Sequence, residues 1–357
     1  GVEGRLREYH VYGVESRLGW EGDLFGAPAE VETGIRWHSE RQNRFQINAD
    51  TPTGRAPGVG VNGGTVESNL RKVEAWSGFL TASAQFGPFT LQPGFRIEAI
   101  EYERRNRLSG ASGASDLTEV IPGLGALYEF NDHVVAYAGV HRGFAPPRAE
   151  DVITNGGGVI DLGAEESVNW ELGLRGAARP GVNFDVTAFL MDFENQIVPA
   201  SVAGGVGATL TSAGETRHGG LEGSLQISLA DMGAMERDDI TFRLAVTYIP
   251  DANYEGERFS NIAGFNCAGI VPPTPGPACV RVTGNRLPYA PEWIASAAIG
   301  YERGDWFQTQ LEVQHTGEMF GDDLNSVAQS ADGQRGLIEA ATIVNWAANV
   351  TPPSSPV

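Results

Sequence analysis

Phe242-Arg243-Leu244-Ala245-Val246-Thr247-Tyr248 sets Phe242, Leu244, Val246 and Tyr248 on one side of an extended chain and Arg243, Ala245 and Thr247 on the other. Successive side chains of a pleated strand point to opposite faces, so this period of two predicts a strand with one apolar and one polar face. The pattern recurs. Leu221, Leu225, Ile227 and Leu229 oppose Glu222, Ser224, Gln226 and Ser228, while Phe307, Leu311 and Val313 oppose Gln308, Gln310, Glu312 and Gln314. Between about Glu8 and Asn349, some 13 such stretches follow one another. A soluble β-sandwich would alternate too, with its apolar side against a second sheet.

The connections separate these readings. Tight reversals are predicted at Gly87-Pro88, Asn131-Asp132, Arg179-Pro180-Gly181 and Arg303-Gly304-Asp305, all with turn-forming residues. Slightly longer links are expected near Glu21 to Ala29 and Ala230 to Asp239. Alternating with them are long polar, Gly-rich connections: Arg41 to Lys72, Arg104 to Leu117, Phe144 to Glu165, Asn195 to Ala208, Pro250 to Leu287 and Gly317 to Gly336. Long structureless loops are uncommon in compact soluble domains, whereas transmembrane barrels carry short turns on one side and long loops on the other. The fold class predicted is therefore all-β, an antiparallel transmembrane β-barrel with long extracellular loops and short periplasmic turns.

Composition agrees. Hydrophobic residues make up 41% of the chain and no run of 18 apolar residues occurs, so helical membrane spans are excluded while barrel strands, polar on one face, are not. Aromatic residues sit toward the ends of the stretches, at Trp37, Phe86, Phe89, Phe130, Trp170, Phe184, Tyr248, Tyr301 and Trp306, where interfacial girdles belong. The net charge of -20, without any basic stripe, argues against a nucleic-acid partner. Gly58-Val59-Gly60-Val61-Asn62-Gly63 matches GxGxxG in wording, but it lies in a Pro/Gly-rich loop and lacks the strand and helix that make the motif bind phosphate. There is no GxSxG elbow, and the six histidines are scattered without ligand spacing. No resident metal, cofactor or enzyme activity is expected. Cys267 and Cys279 share one proline-rich outer loop, and in an oxidising compartment they are expected to form an intraloop disulfide.

Four stretches carry a resemblance. Tyr137-Ala138-Gly139-Val140-His141-Arg142-Gly143-Phe144-Ala145-Pro146-Pro147-Arg148 is followed by Glu166-Ser167-Val168-Asn169-Trp170-Glu171-Leu172-Gly173-Leu174-Arg175. Next come Ala213-Gly214-Glu215-Thr216-Arg217-His218-Gly219-Gly220-Leu221-Glu222 and Gly284-Asn285-Arg286-Leu287-Pro288-Tyr289-Ala290-Pro291-Glu292. In this order they resemble the strand motifs of TonB-dependent outer-membrane receptors, and the first is similar in wording to receptors for ferric dicitrate.

The resemblance implies active uptake of a ferric chelate across the outer membrane of a Gram-negative bacterium. Energy would come from the TonB-ExbB-ExbD system acting through a plug domain, with outer-membrane lipid around the barrel and iron arriving only as part of the chelate. It further implies that residues 1-357 are part of a barrel, about 13 of the family's 22 strands, with the plug and terminal strands lying outside the chain. A passive outer-membrane porin or another, non-transport barrel is the alternative. Ferric chelates are often anionic, which directs attention to the arginines grouped in the long loops: Arg41, Arg44, Arg55 and Arg71, then Arg104, Arg105 and Arg107, then Arg142 and Arg148. Arg142 and Arg148 are the first candidates, because one ends a strand and the other follows a double proline; Arg41, Arg44, Arg104 and Arg105 come next, with His141 as a further donor. Guanidinium groups suit carboxylates because they bind them bidentately.

Overall fold

A computed structural model describes residues 2–49, 64–160, 162–195, 197–198, 211–212, 214–256, 260, 280–331, 333 and 335–351. Thirteen antiparallel strands make one hydrogen-bonded order in which every strand lies beside its predecessor in this series. They are β1 (Val2–Leu24), β2 (Ala27–Ala49), β3 (Gly64–Phe86), β4 (Phe89–Asn106), β5 (Ser112–Asn131), β6 (Val134–Ala145), β7 (Glu165–Arg179), β8 (Val182–Glu194), β11 (Thr216–Ser228), β12 (Asp238–Tyr254), β13 (Trp293–Arg303), β14 (Phe307–Thr316) and β17 (Ala341–Val350). Two small ribbons lie in the connections, β9 (Ile197–Val198) with β10 (Thr211–Ser212) and β15 (Met319–Phe320) with β16 (Leu337–Ile338); a four-residue helix, α1 (Ala149–Val152), follows β6.

The short connections are where turn chemistry puts them, and one is tighter than expected. β1 and β2 are joined by Phe25 and Gly26 alone, both at positive φ (56° and 79°), a combination that matches the right-handed twist of the flanking strands. At the β5–β6 reversal the Asn131 Oδ1 accepts from the backbone N–H groups of His133 and Val134 at 2.9 and 3.1 Å, the local hydrogen bonding that suits asparagine to turns. Glu129 N–H donates to the Pro88 carbonyl at 2.8 Å, so the Gly87 and Asn131 turns lie at the same end of their strands.

On the long side the strands run further than the sequence pattern indicates. β2 continues to Ala49, β3 begins at Gly64, and β4 and β5 are separated only by residues 107–111. Past the aromatic girdle both faces of a strand meet polar surroundings, so the apolar alternation that marks a strand disappears while its hydrogen bonding continues.

Two compact units make up the chain. In the first (Gly1–Ala84, Gln92–Gly123 and Arg142–Glu166), register places Arg36 beside Ser77, and Ser77 is hydrogen-bonded to Glu98; these define a polar face, on which Ser77 and Glu98 are buried. Residues of the opposite parity include Val14, Leu18, Ile35 and Trp76, all more than half exposed. Burial is thus inverted relative to a water-soluble protein, where contiguous apolar surface of this extent is rare. On the apolar face Tyr12, Trp37 and Trp76 form a row with ring centroids 5.6 and 6.4 Å apart. Beyond it, on the same face, come Arg41, the Lys72–Glu74 ion pair (3.1 Å), Glu101 and Glu103. Charge begins where the aromatic row ends.

The second unit comprises Gln85–Leu91, Leu124–His141 and Ser167–Val357, and its strand β7 repeats the pattern. Val168, Trp170, Leu172 and Leu174 are exposed, while Ser167 and Asn169 on the other parity are buried. Tyr248 stacks on Trp293 at 4.1 Å, and eight residues along β13 Tyr301 packs near Phe307 at 6.2 Å. Eight residues at about 3.3 Å each span roughly 26 Å, or about 20 Å along the normal for strands tilted some 40°. That is close to the ~25 Å apolar band of an outer-membrane barrel.

Candidate functional site

Pro146 and Pro147 lack backbone donors and end β6, after which the chain turns onto the polar face of unit 1. Asp151 closes the turn: its carboxylate accepts from the Arg148 backbone N–H at 3.2 Å and takes the Arg148 side chain bidentately, at 2.9 and 3.0 Å. These hydrogen bonds raise the Arg148 pKa above its ordinary value. α1 then presents Val152 and Ile153, both fully buried, to Ile100 and Tyr102 of β4, with Phe144, Leu117 and Leu162 packed around them. Ile153 bridges back to Val159, and Gly157, at φ +82°, passes so close to Ser112 that a Cβ there would meet its carbonyl oxygen at 2.5 Å. This connection, described at residues 146–160 and 162–164, is a strap folded down over the wall.

Beneath it lies a charge cluster. Arg44 of β2, Arg71 of β3 and Arg104 of β4 share the polar face with Glu67, and the strap contributes Glu150. Arg71 Nη1 meets Glu150 Oε1 at 2.9 Å and Gln42 Oε1 at 2.8 Å, and Arg71 Nη2 lies 3.4 Å from Glu67 Oε1. Arg44 Nε is 3.0 Å from Glu67 Oε2, and its Nη1 is 3.9 Å from Glu150 Oε1. Arg104 donates to the Ile153 carbonyl at 2.6 Å and to Asn155 Oδ1 at 3.1 Å. Three guanidinium groups therefore face two carboxylates. Arg71 and Arg104 are 5% and 8% exposed, yet the Nε–H of each, the Asn69 Oδ1 and the Tyr102 hydroxyl are buried without a hydrogen-bond partner. Unpaired buried polar atoms are expensive, and those here include an N–H donor on each of two clustered arginines.

The expected site residues divide. Arg44 and Arg104 are brought together in this cluster. Arg41 and Arg105 fall on the opposite parity of β2 and β4 and are exposed on the apolar side, beyond the aromatic row. Arg142 is ion-paired with Glu166 and Glu119, the latter at 3.7 Å, and donates to the Val120 carbonyl at 3.2 Å; its neighbour His141 is exposed. Arg148 is held by Asp151. Cys267 and Cys279 lie outside the described residues. Asn69 and Glu150 were not anticipated at the site, and Arg71, grouped in sequence with Arg41 and Arg44, is not among the ranked candidates, although Asn69 and Arg71 stand two apart, as do Arg104 and Asn106, the spacing that stacks polar groups on one face of a strand.

A family model described as "TonB dependent receptor-like, beta-barrel" matches residues 3–352. The chain belongs to this family of TonB-dependent receptor barrels. Among solved structures, it is similar to the ferric citrate transporter FecA in its unliganded form, with a TM-score of 0.75 at 22% identity over 99% of this chain and 48% of that one. The siderophore receptor PiuA from Acinetobacter baumannii gives 0.70 at 13% identity, covering 98% and 50% respectively. The ferric-catecholate import receptor Fiu from K12 E. coli gives 0.66 at 14%, covering 98% and 49%. At these identities the likeness is one of fold, and the chain spans about half the length of the receptors it matches.

The family's wording has physical content in this TonB-dependent receptor barrel. Tyr137 from the first motif reaches over Gly173 in the second, where a Cβ would overlap the phenol ring. Its hydroxyl bonds Asp185 Oδ1 at 3.0 Å and also Thr187, while the Arg175 guanidinium lies over the ring at 5.3 Å. In the fourth motif, Arg286 donates to three backbone carbonyls: Ile249 at 2.6 Å, Ala290 at 2.8 Å and Pro250 at 3.2 Å. Burial pushes its pKa down, opposed by Glu292 and Asp251. Asn325, in the left-handed region at φ 53°, completes the junction by bonding both the N–H and the carbonyl of Arg286. These residues hold the wall and the base of a long connection. A cavity of about 1230 Å³ in the second unit, near the Asn131 turn, is lined by Arg175, Asp185, Arg243, Gln310 and Glu312, a mixture of signs that selects no single ligand charge.

Proposed function

We propose that the chain forms barrel strands of an outer-membrane receptor that takes up a ferric chelate, with energy supplied through TonB. The family match over residues 3–352 carries this reading and favours it over a passive porin. Transport rather than catalysis is the role of such a barrel, and the iron is cargo. The chelate would be anionic, with ferric dicitrate the leading choice. Its carboxylates would meet Arg44, Arg71 and Arg104, whose buried, incompletely partnered N–H groups are suited to planar oxyanions. Arg142 and Arg148 remain candidates that would have to leave Glu119, Glu166 and Asp151 to reach a ligand.

The test uses the full-length protein containing this chain, reconstituted in detergent. Replacing Arg71 and Arg104 together with alanine removes charge-assisted contacts of about 1.5–3 kcal/mol each, so ferric citrate should bind at least tenfold more weakly. Unchanged affinity in a folded double variant would remove these residues from the site. Iron uptake from ferric citrate that persists undiminished without TonB would sink the active-receptor reading.

A further inference from the structure

The strap supplies to the arginine cluster the chemical group that a carboxylate ligand would bring. Glu150 approaches Arg71 at 2.9 Å, Arg44 at 3.9 Å and Arg148 at 4.0 Å, and it enters from the connection, whereas the three clustered arginines stand on strands. Two further acceptors on Arg104 and Asn106 also come from the strap, the Ile153 and Asn155 carbonyls. The wall's own acidic contribution to the cluster is Glu67. Were the strap to lift, three arginines would face one carboxylate, and Arg104 would lose its described oxygen partners.

We propose that Glu150 is a resident surrogate carboxylate: it latches the strap over Arg44, Arg71 and Arg104, and a polycarboxylate ligand binds by taking its place. This rests on the proposed function for the identity of the ligand, though not for the latch itself. Glu150 thereby sets specificity. A neutral ligand cannot repay the displaced ion pairs, whereas an anion with two or more carboxylates can occupy the Glu150 position and also reach the unpartnered Arg71 and Arg104 Nε–H groups. Asp151, one residue on, serves a different end, since its carboxylate folds the strap on itself through Arg148. The apolar anchor of Val152 and Ile153 keeps the closed form compact and makes opening a shift between two arrangements.

The experiment uses the full-length protein in detergent, with a nitroxide attached at Val159→Cys, an exposed strap position. The probes are ferric citrate and citrate alone. In ligand-free protein the label should be immobilised, and ferric citrate should raise its mobile fraction. Glu150→Gln, of equal size without the charge, should raise that fraction without ligand and tighten ferric citrate binding by about tenfold, as expected if the open form rises from roughly a tenth of the population to most of it. Glu150→Asp, which keeps the charge, should stay near wild type. A Glu150→Gln protein with unchanged label mobility overturns the latch, as does one that binds ferric citrate more weakly. If Glu150→Gln frees the strap while neither protein binds ferric citrate, the latch stands and the chelate reading fails.

Discussion

Arginine placed at two adjacent positions of β12 should have very different consequences. Leu244 is paired with Leu225 and Ala297, and Ala297 lies four residues from Trp293 at one girdle and four from Tyr301 at the other. At about 3.3 Å per residue it stands some 13 Å from each, at the middle of the apolar band. Ala245, the next residue, belongs to the polar face with Ser224 and Ser296. Leu244→Arg should destabilise the folded receptor in a bilayer by about 2–4 kcal/mol, a shift of roughly 30- to 700-fold in the folding equilibrium. Ala245→Arg should cost within about 1 kcal/mol, because its charge is set among polar groups on the face opposite Leu244. The assay is urea-dependent folding of the full-length protein into phospholipid vesicles, followed by heat-modifiable migration. Equal costs for the two variants, or a larger one for Ala245→Arg, would refute the assignment of faces.

Arg286→Ala leaves three carbonyls at the β12–β13 junction without their donor and should lower stability by about 2–4 kcal/mol, with Arg286→Lys intermediate; chemical denaturation measures both. Gly173→Ala should cost about 1–3 kcal/mol because its methyl overlaps the Tyr137 ring, and most of that loss should vanish in a Tyr137→Ala background, so equal costs in both backgrounds would contradict the contact. For Cys267 and Cys279, alkylation followed by mass spectrometry of protein exported to an oxidising periplasm should find two reactive thiols only after reduction.

What the sequence discloses depends on whether a strand has lipid on one side. Phe242 to Tyr248 and Phe307 to Gln314 are legible because one parity is held apolar and the other is not, and their registers agree with that reading. Residues 41–49 of β2 are strand as well, yet Arg41, Asn43, Arg44 and Gln46 carry no alternation, since neither face there meets lipid. The same loss hides the site. Arg104 and Arg105 look equivalent in sequence, and parity alone sends one under the strap and the other outside. Arg148 is conspicuous after its double proline, but its partner three residues on is acidic, so it folds its own loop. Nothing local marks Arg71 or Glu150, because their meeting depends on the strap's apolar pair, Val152 and Ile153, finding Ile100 and Tyr102 some fifty residues away.

The strictly sequential strand order bears on how fast such a chain can assemble. Each of the thirteen strands meets its predecessor in the series, so pairing can proceed hairpin by hairpin and no step waits for distant segments to find each other. The steps are unequal. β1 and β2 are closed by two residues, whereas β12 and β13 are separated by the stretch from 255 to 292, which by loop-closure entropy alone adds about 2.6 kcal/mol to the search. The hairpin from β12 to β13, pinned at its base by Arg286, is where zippering should pause, and shortening that connection should quicken insertion while leaving the finished wall unchanged.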